Sequence, residues 1–461
     1  MTFGLAEVHP RPLEASLGGD LSVEMNARTR RYAILTMRRT SPGGLTRIYR
    51  KQSAERRLAA VLLLFAAHAL AQLPTTGLAD PALAPYDRWM LDLLQRYKIP
   101  GGAVAVTRNG QLILARGYGY AEVRSQKPVQ PDSLFRIASI SKTFTSAAIL
   151  KLVDQGKLHL DDPAFAFLKD LHSPKGQTPD PRIGAITIRQ ILHHTGGWDS
   201  DAGFDPMFRP VAIAEALGET VPAGCETVIR YMLGRRLDFD PGNRYAYSNF
   251  GFCVLGRIIE RVSGMRYDEF VRRAILSPAG ITRMKIGQSL HSDETAGEVH
   301  YYSEFTARSV FPPLDRIVPW PYGGFHLEAM DSHGGWIGSA IDLVKFANAI
   351  DGRRGKPLLS KVSIRELASR PTGPLEQDTP AYYGLGWNIR PVGNDANWWH
   401  NGSLPGTTTL LVRTHHGYCW VAVFNSRPEG ASQLGADIDR GLWKAFGEVV
   451  AWPARDLFAD R

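Results

Sequence analysis

The sequence predicts an α/β chain of the α+β type. One antiparallel sheet is assembled from N- and C-terminal segments and flanked by helices, with a mostly helical region inserted between them. Three observations predict it. Runs of β-branched and aliphatic residues cluster at 102–116 and again at 383–425, the composition strands favour. Between them, from about residue 157 to residue 330, apolar residues recur at helical spacing with Pro and Gly punctuation. No stretch repeats at a fixed period, which excludes solenoids and propellers.

The first 57 residues stand apart. They show no sustained periodicity and read as a disordered basic leader. Of the net charge of +9, this leader supplies a surplus of six, with 11 Lys+Arg against 5 Asp+Glu, so the rest of the chain carries only +3. The basic balance therefore gives no argument for a nucleic-acid partner. After the basic flank Lys51–Arg57 come the apolar run 58–71 and the small residues Ala69 and Ala71 before Gln72. That is the three-part layout of a secretory signal peptide. The run is too short for a membrane span of about 20 residues. The reading is export to the periplasm or medium, a start at Met37, a mature chain beginning near Gln72 and no stable membrane span after cleavage.

The remaining elements follow in order. Residues 72–84 are a turn-rich linker. Tyr86 to Tyr97 repeats apolar residues at helical spacing and stops before Ile99-Pro100. Gly102–Thr107 and Gln111–Arg116 flank Arg108-Asn109-Gly110, a strong hairpin signal. A helix is expected through the run from Ser139 to near Gly156, with others at Ile188–His193, Asn249–Gly264 and Ala431–Phe446. Residues 287–335 are aromatic and Pro-rich without clear periodicity, a loop whose Tyr301, Tyr302, Trp320 and Tyr322 either line a pocket or pack the loop itself. Strands are expected at Tyr383–Arg390, Thr407–Arg413 and Cys419–Asn425. A folded domain spanning 85–447 and a tail at 448–461 complete the division. Cys225, Cys253 and Cys419 are too few for a disulfide scaffold and form no Cys-x-x-Cys pair. Cys253 and Cys419 fall in apolar runs and read as small buried side chains.

Chemistry concentrates in three short patterns. In Ser139-x-x-Lys142, residues three apart on a helix share a face, bringing a hydroxyl to an amine at a helix N-terminus. A neutral amine there accepts the hydroxyl proton and activates the serine. Tyr247-x-Asn249 is the one Tyr-x-Asn in the sequence. A Tyr beside a Lys ammonium loses its proton more readily and can pass one to a leaving group, while the Asn249 amide holds Lys142 or a substrate carbonyl. Taken alone, Asn249 reads equally as an N-cap and Tyr247 as a surface aromatic. His-x-Gly occurs at His194, His333, His400 and His415; His400-Asn401-Gly402 alone leads into a strand of the C-terminal sheet. There the backbone N–H groups of Ser139 and Ser403 would form an oxyanion hole.

In that order, with Leu192-His-His-Thr-Gly-Gly197 between the first two, these motifs resemble the serine β-lactamase-related superfamily. The pattern is closest to class C β-lactamases, D-alanyl-D-alanine carboxypeptidases and family VIII carboxylesterases, and spans roughly residues 85–447. The resemblance implies a five-stranded antiparallel sheet beside a helical domain, the active site lying between them, no metal and no cofactor. It implies that Ser139, Lys142 and Tyr247 are catalytic and that Asn249, His400, Gly402 and Ser403 bind substrate. His400-Asn401-Gly402 stands where class C β-lactamases carry Lys-Thr-Gly, which weakens attraction for a carboxylate-bearing lactam at neutral pH.

The mechanism expected is acyl transfer. Lys142 and Tyr247 deprotonate Ser139, which attacks the carbonyl of an ester, amide or lactam in a small molecule or peptide. Water then hydrolyses the acyl-enzyme. An α/β-hydrolase is disfavoured, since no Gly-x-Ser-x-Gly elbow occurs, and His193-His194 lack the spacing of a metallohydrolase. The competing non-enzymatic reading is a penicillin-binding-like sensor or scaffold that keeps the fold without turnover.

Overall fold

Asn109 and Gly110 both take positive φ, 49° and 77°, the backbone that a two-residue type I′ turn requires. In the computed structural model, which describes residues 73–373 and 380–459, this turn joins β1 (Gly101–Arg108) to β2 (Gln111–Glu122). The basic leader, the apolar run 58–71 and the expected cleavage site lie outside the described residues. The linker is partly ordered into the fold: Thr75–Thr76 pairs with Gly117 and Tyr118 of β2, and α1 (Ala84–Tyr97) follows.

Five long strands carry the main sheet. Beside β1 and β2 run β6 (Asp395–Leu404), β7 (Thr407–Arg413) and β8 (Tyr418–Phe424). The order is β2-β1-β8-β7-β6, with β5 (Asn388–Val392) beside β6 and the short strands Thr75–Thr76, Lys127–Pro128 and Tyr382–Tyr383 extending the sheet to nine. All pairs are antiparallel, with Val106 opposite Trp420 and His400 opposite Leu411. N- and C-terminal segments thus meet at the β1–β8 pair.

Both faces of the sheet are covered, so its central strands are apolar at nearly every position. In β8, Trp420, Ala422 and Phe424 pack towards α1 and α5 (Leu434–Glu448), with Tyr86, Met90, Leu93 and Leu442. The alternate residues Cys419, Val421 and Val423 face the larger core with α2 (Ser141–Asp154), α3 (Asn249–Ser263) and α4 (Ala340–Ile350). Nearly all of α2 is buried, and Phe144 stacks on Phe346 at 3.9 Å. A helix buried on every side acts as a central pillar rather than an amphipathic cover.

Two expectations meet a different outcome. The strand expected at Tyr383–Arg390 is broken at 384–387, because its backbone bonds go elsewhere: Leu385 donates to Leu367 and Ser146 donates to the Leu385 carbonyl. Cys253 is not a lone buried thiol: its sulfur lies 2.00 Å from that of Cys225 in a disulfide, and Cys419 stays free and buried. Of the two readings of the aromatic loop, Tyr301 and Tyr322 take the packing one, buried against the Arg136 guanidinium. In the tail, Leu457 donates to the Leu112 carbonyl and Phe458 is buried. Among the described residues no helix is long and apolar enough to cross a membrane.

Candidate active site

Ser139 lies in a 3-10 turn, Ala138–Ile140, that runs straight into α2. The turn is held from several sides. Ile137 donates to the Trp336 carbonyl, because the short β3 (Phe135–Arg136) pairs with β4 (Trp336–Gly338). From β7, the Thr407 and Thr409 hydroxyls donate to the carbonyls of Arg136 and Ile137 at 2.8 and 3.0 Å. This bracing keeps Ala138 at a φ of 48°, a strained conformation for a non-glycine residue. Gly402 of β6 lies against the same turn, and a Cβ there would stand 2.3 Å from the Ile137 carbonyl and 3.1 Å from Ala138 Cβ.

One helical turn on, Lys142 is fully buried, and burial holds its amine well below the ordinary lysine range, with Asp205 opposing weakly. A neutral amine has two N–H bonds and one lone pair. Two acceptors surround Nζ, Asn249 Oδ1 at 2.7 Å and the His333 carbonyl at 2.9 Å. Ser139 Oγ lies 3.2 Å from Nζ, so in the neutral amine, with both N–H bonds on those acceptors, the lone pair would face the serine hydroxyl. Asn249 is oriented in turn by Asp205, whose carboxylate accepts from Nδ2 at 2.6 Å. Burial raises the Asp205 pKa in spite of that bond. Ser248, not Asn249, caps α3, accepting from Gly251.

Tyr247 hydrogen-bonds Ser139, and Lys142 Nζ sits 4.7 Å above its ring. Burial raises the Tyr247 pKa, outweighing the Ser139 bond. Beneath the phenol, the His194 ring packs 4.3 Å from Tyr247 and 4.5 Å from Tyr383, and His194 Nδ1 accepts from the Ser248 N–H.

His400 is buried, and burial brings its pKa down to about 3. Its Nδ1 faces the Asn401 carbonyl at 2.6 Å and so carries the proton, leaving Nε2 to accept from the Tyr383 hydroxyl at 2.9 Å. The imidazole is therefore a neutral fixture and offers no cation to substrate. β5 pairs with β6 only as far as Trp399, so His400–Leu404 form an open edge. The two-residue turn after Leu404 closes on Thr407, and strand alternation then directs the Ser403 N–H away from β7 towards that edge. Motif analysis did not find Asp205, Tyr383 or the His333 carbonyl. Asp205-Pro206 shows only a capping signal, and nothing in sequence ties it to Asn249.

A mixed α/β fold with an antiparallel sheet, carrying a serine beside a buried lysine, is that of the β-lactamase-like serine hydrolases. The Beta-lactamase family model matches residues 86–441, and the chain belongs to that family. It is 29% identical over 262 residues to "Probable fimbrial assembly protein FimD, serogroup H1" of Dichelobacter nodosus, covering 57% of this chain and 60% of that one. It is 27% identical over 321 residues to a D-aminopeptidase of Brucella anthropi, covering 68% and 53%. The chain thus spans little more than half the length of these curated relatives. Its fold matches that of the D-amino acid amidase from Ochrobactrum anthropi SV3 complexed with D-phenylalanine, with a TM-score of 0.61 and 22% identity over 80% of this chain and 99% of that one.

Proposed function

We propose that this chain is an exported serine hydrolase that cleaves an ester or amide carbonyl through an acyl-enzyme on Ser139. The observation that carries the reading is the buried Lys142, whose Nζ lies between Asn249 Oδ1, the His333 carbonyl and Ser139 Oγ, where a neutral amine spends its two N–H bonds on the first two and offers its lone pair to the third. As Oγ attacks, its proton moves to Nζ, and the carbonyl oxygen takes negative charge between the N–H groups of Ser139 and Ser403. Collapse breaks the bond to the leaving group, which receives a proton through Tyr247. Water then attacks the Ser139 ester, loses a proton along the same route and releases the acid.

The substrate follows from the environment of His400. A β-lactam carries a carboxylate that a cation would hold, whereas His400 is held neutral by burial and Tyr383. Uncharged esters and D-amino amides suit the site better, and the likeness to a D-aminopeptidase supports the second. The Cys225–Cys253 disulfide supports export, because disulfides persist in oxidising compartments.

The test is a panel of short-chain nitrophenyl esters, D-amino acid amides and nitrocefin. Turnover of an ester or D-amino amide well above nitrocefin, lost in Ser139→Ala, is expected. Folded protein that turns over none of the three would establish the scaffold reading instead. Mass spectrometry of the protein from its native host is expected to find an N-terminus near Gln72, and an intact leader would contradict export.

A further inference from the structure

Away from the serine, the loop wall holds a second cluster with its own chemistry. His291 Nδ1 lies 3.3 Å from one carboxylate oxygen of Glu294, and His300 Nδ1 lies 3.6 Å from the other. One ligand atom from each of the three residues falls within 4.8 Å of the other two. Donors about 2.0–2.2 Å from a tetrahedral zinc stand roughly 3.3–3.6 Å apart, and each Nδ1 already lies at that spacing from its own oxygen of the Glu294 carboxylate. The imidazole rings are 4.5 Å apart, and His291 is exposed enough, at 61% of its side chain, to turn and bring all three donors round one cation. We propose that His291, Glu294 and His300 form a site for a zinc-class divalent cation, with a fourth position open to water. Two imidazoles and one carboxylate are a donor set that suits zinc and is too nitrogen-rich for calcium or magnesium.

The surroundings are those of a built site. The Tyr322 hydroxyl donates to Glu294 and accepts from the Tyr301 N–H, orienting the carboxylate as outer partners of metal ligands do. It also lies 3.1 Å from His300 Nδ1, a contact that a cation on that nitrogen replaces. The chain of bonds continues to the nucleophile. The Tyr301 hydroxyl accepts from the Arg136 N–H, and the Arg136 guanidinium donates to the carbonyls of Gln288 and Pro321 on either side of the cluster. Arg136 lies three residues before Ser139. A cation here pins the loop to the strand that delivers the serine; it performs no step of the hydrolysis. The spacing His291-x-x-Glu294-x5-His300 matches no common zinc motif, so sequence inspection passes over it.

The test uses the untagged full-length chain, dialysed against EDTA and titrated with zinc chloride by calorimetry, with cobalt(II) absorbance as a second readout. One equivalent of zinc is expected to bind and raise the melting temperature, with cobalt giving the visible bands of a tetrahedral site. His291→Ala and Glu294→Gln should lower affinity by about a hundredfold, and Tyr322→Phe by roughly 10- to 100-fold, with circular dichroism confirming the fold of each. No stoichiometric binding, or equal affinity in His291→Ala and Glu294→Gln, would overturn the proposal.

Discussion

A lysine amine in water keeps its proton up to a pH of about 10.4, and an ammonium cannot serve as a base. Burial works against that proton and outweighs what favours it, the two oxygen acceptors Asn249 Oδ1 and the His333 carbonyl and the Asp205 carboxylate behind Asn249. The catalytic limb of the pH profile should therefore rise as Lys142 deprotonates below the ordinary lysine range. Asn249→Asp puts a carboxylate beside Nζ with almost no change of shape and favours the ammonium. The acid limb of kcat/KM is expected to move up by about one to three pH units. An unmoved limb in that variant would remove Lys142 from the role of base. At this scale the sequence was legible where chemistry is local: Ser139 and Lys142 sit one turn apart on one backbone. Asp205 and Tyr383 were illegible, because each reaches its partner only through the tertiary fold.

Elements place these residues. β6 contributes little side-chain chemistry; its role is to lay an open edge against the Ser139 turn, and Gly402 permits the approach. Gly402→Val would force the strand and the turn apart and misplace the Ser403 N–H. Losing one such donor costs about 10²- to 10³-fold in rate, so kcat should fall by at least that much while the protein still folds. Steady-state kinetics checks this, and wild-type kcat would refute the packing argument. Hairpins and long helices were readable from sequence because their signals are local, as with Asn109-Gly110 and the apolar face Leu255, Ile258, Ile259 of α3. The Tyr383–Arg390 run misled because its residues favour a strand while its backbone bonds are drawn to Leu367 and α2. The Cys225–Cys253 bond was equally out of reach, since it depends on how a nine-residue helix beginning at Cys225 packs on α3.

Across the whole molecule, the fold class was the most legible feature, because strands at both ends of a chain with helices between them leave few ways to bury a sheet. The same burial makes the protein sensitive to acid. His193 and His400 are held down to about 4 and about 3, chiefly by desolvation, against about 6.5 in an unfolded chain. Below pH 6.5 the unfolded state binds protons that the native state refuses, so stability is fully present above that value. It is lost as pH falls towards 4, with each group adding up to about 1.4 kcal/mol per pH unit. Urea midpoints should drop steadily between pH 7 and pH 5, and less steeply in His400→Gln; a flat midpoint over that range would contradict the neutral assignment.

The central claim is that one serine, activated by a neutral lysine, carries the acyl group. Intact-protein mass spectrometry after incubation with a fluorophosphonate tests it most directly, followed by peptide mapping. A single adduct on Ser139, absent in Ser139→Ala and slowed by orders of magnitude in Lys142→Met, is the predicted result. An adduct on another residue, or Ser139→Ala retaining full turnover, would contradict it.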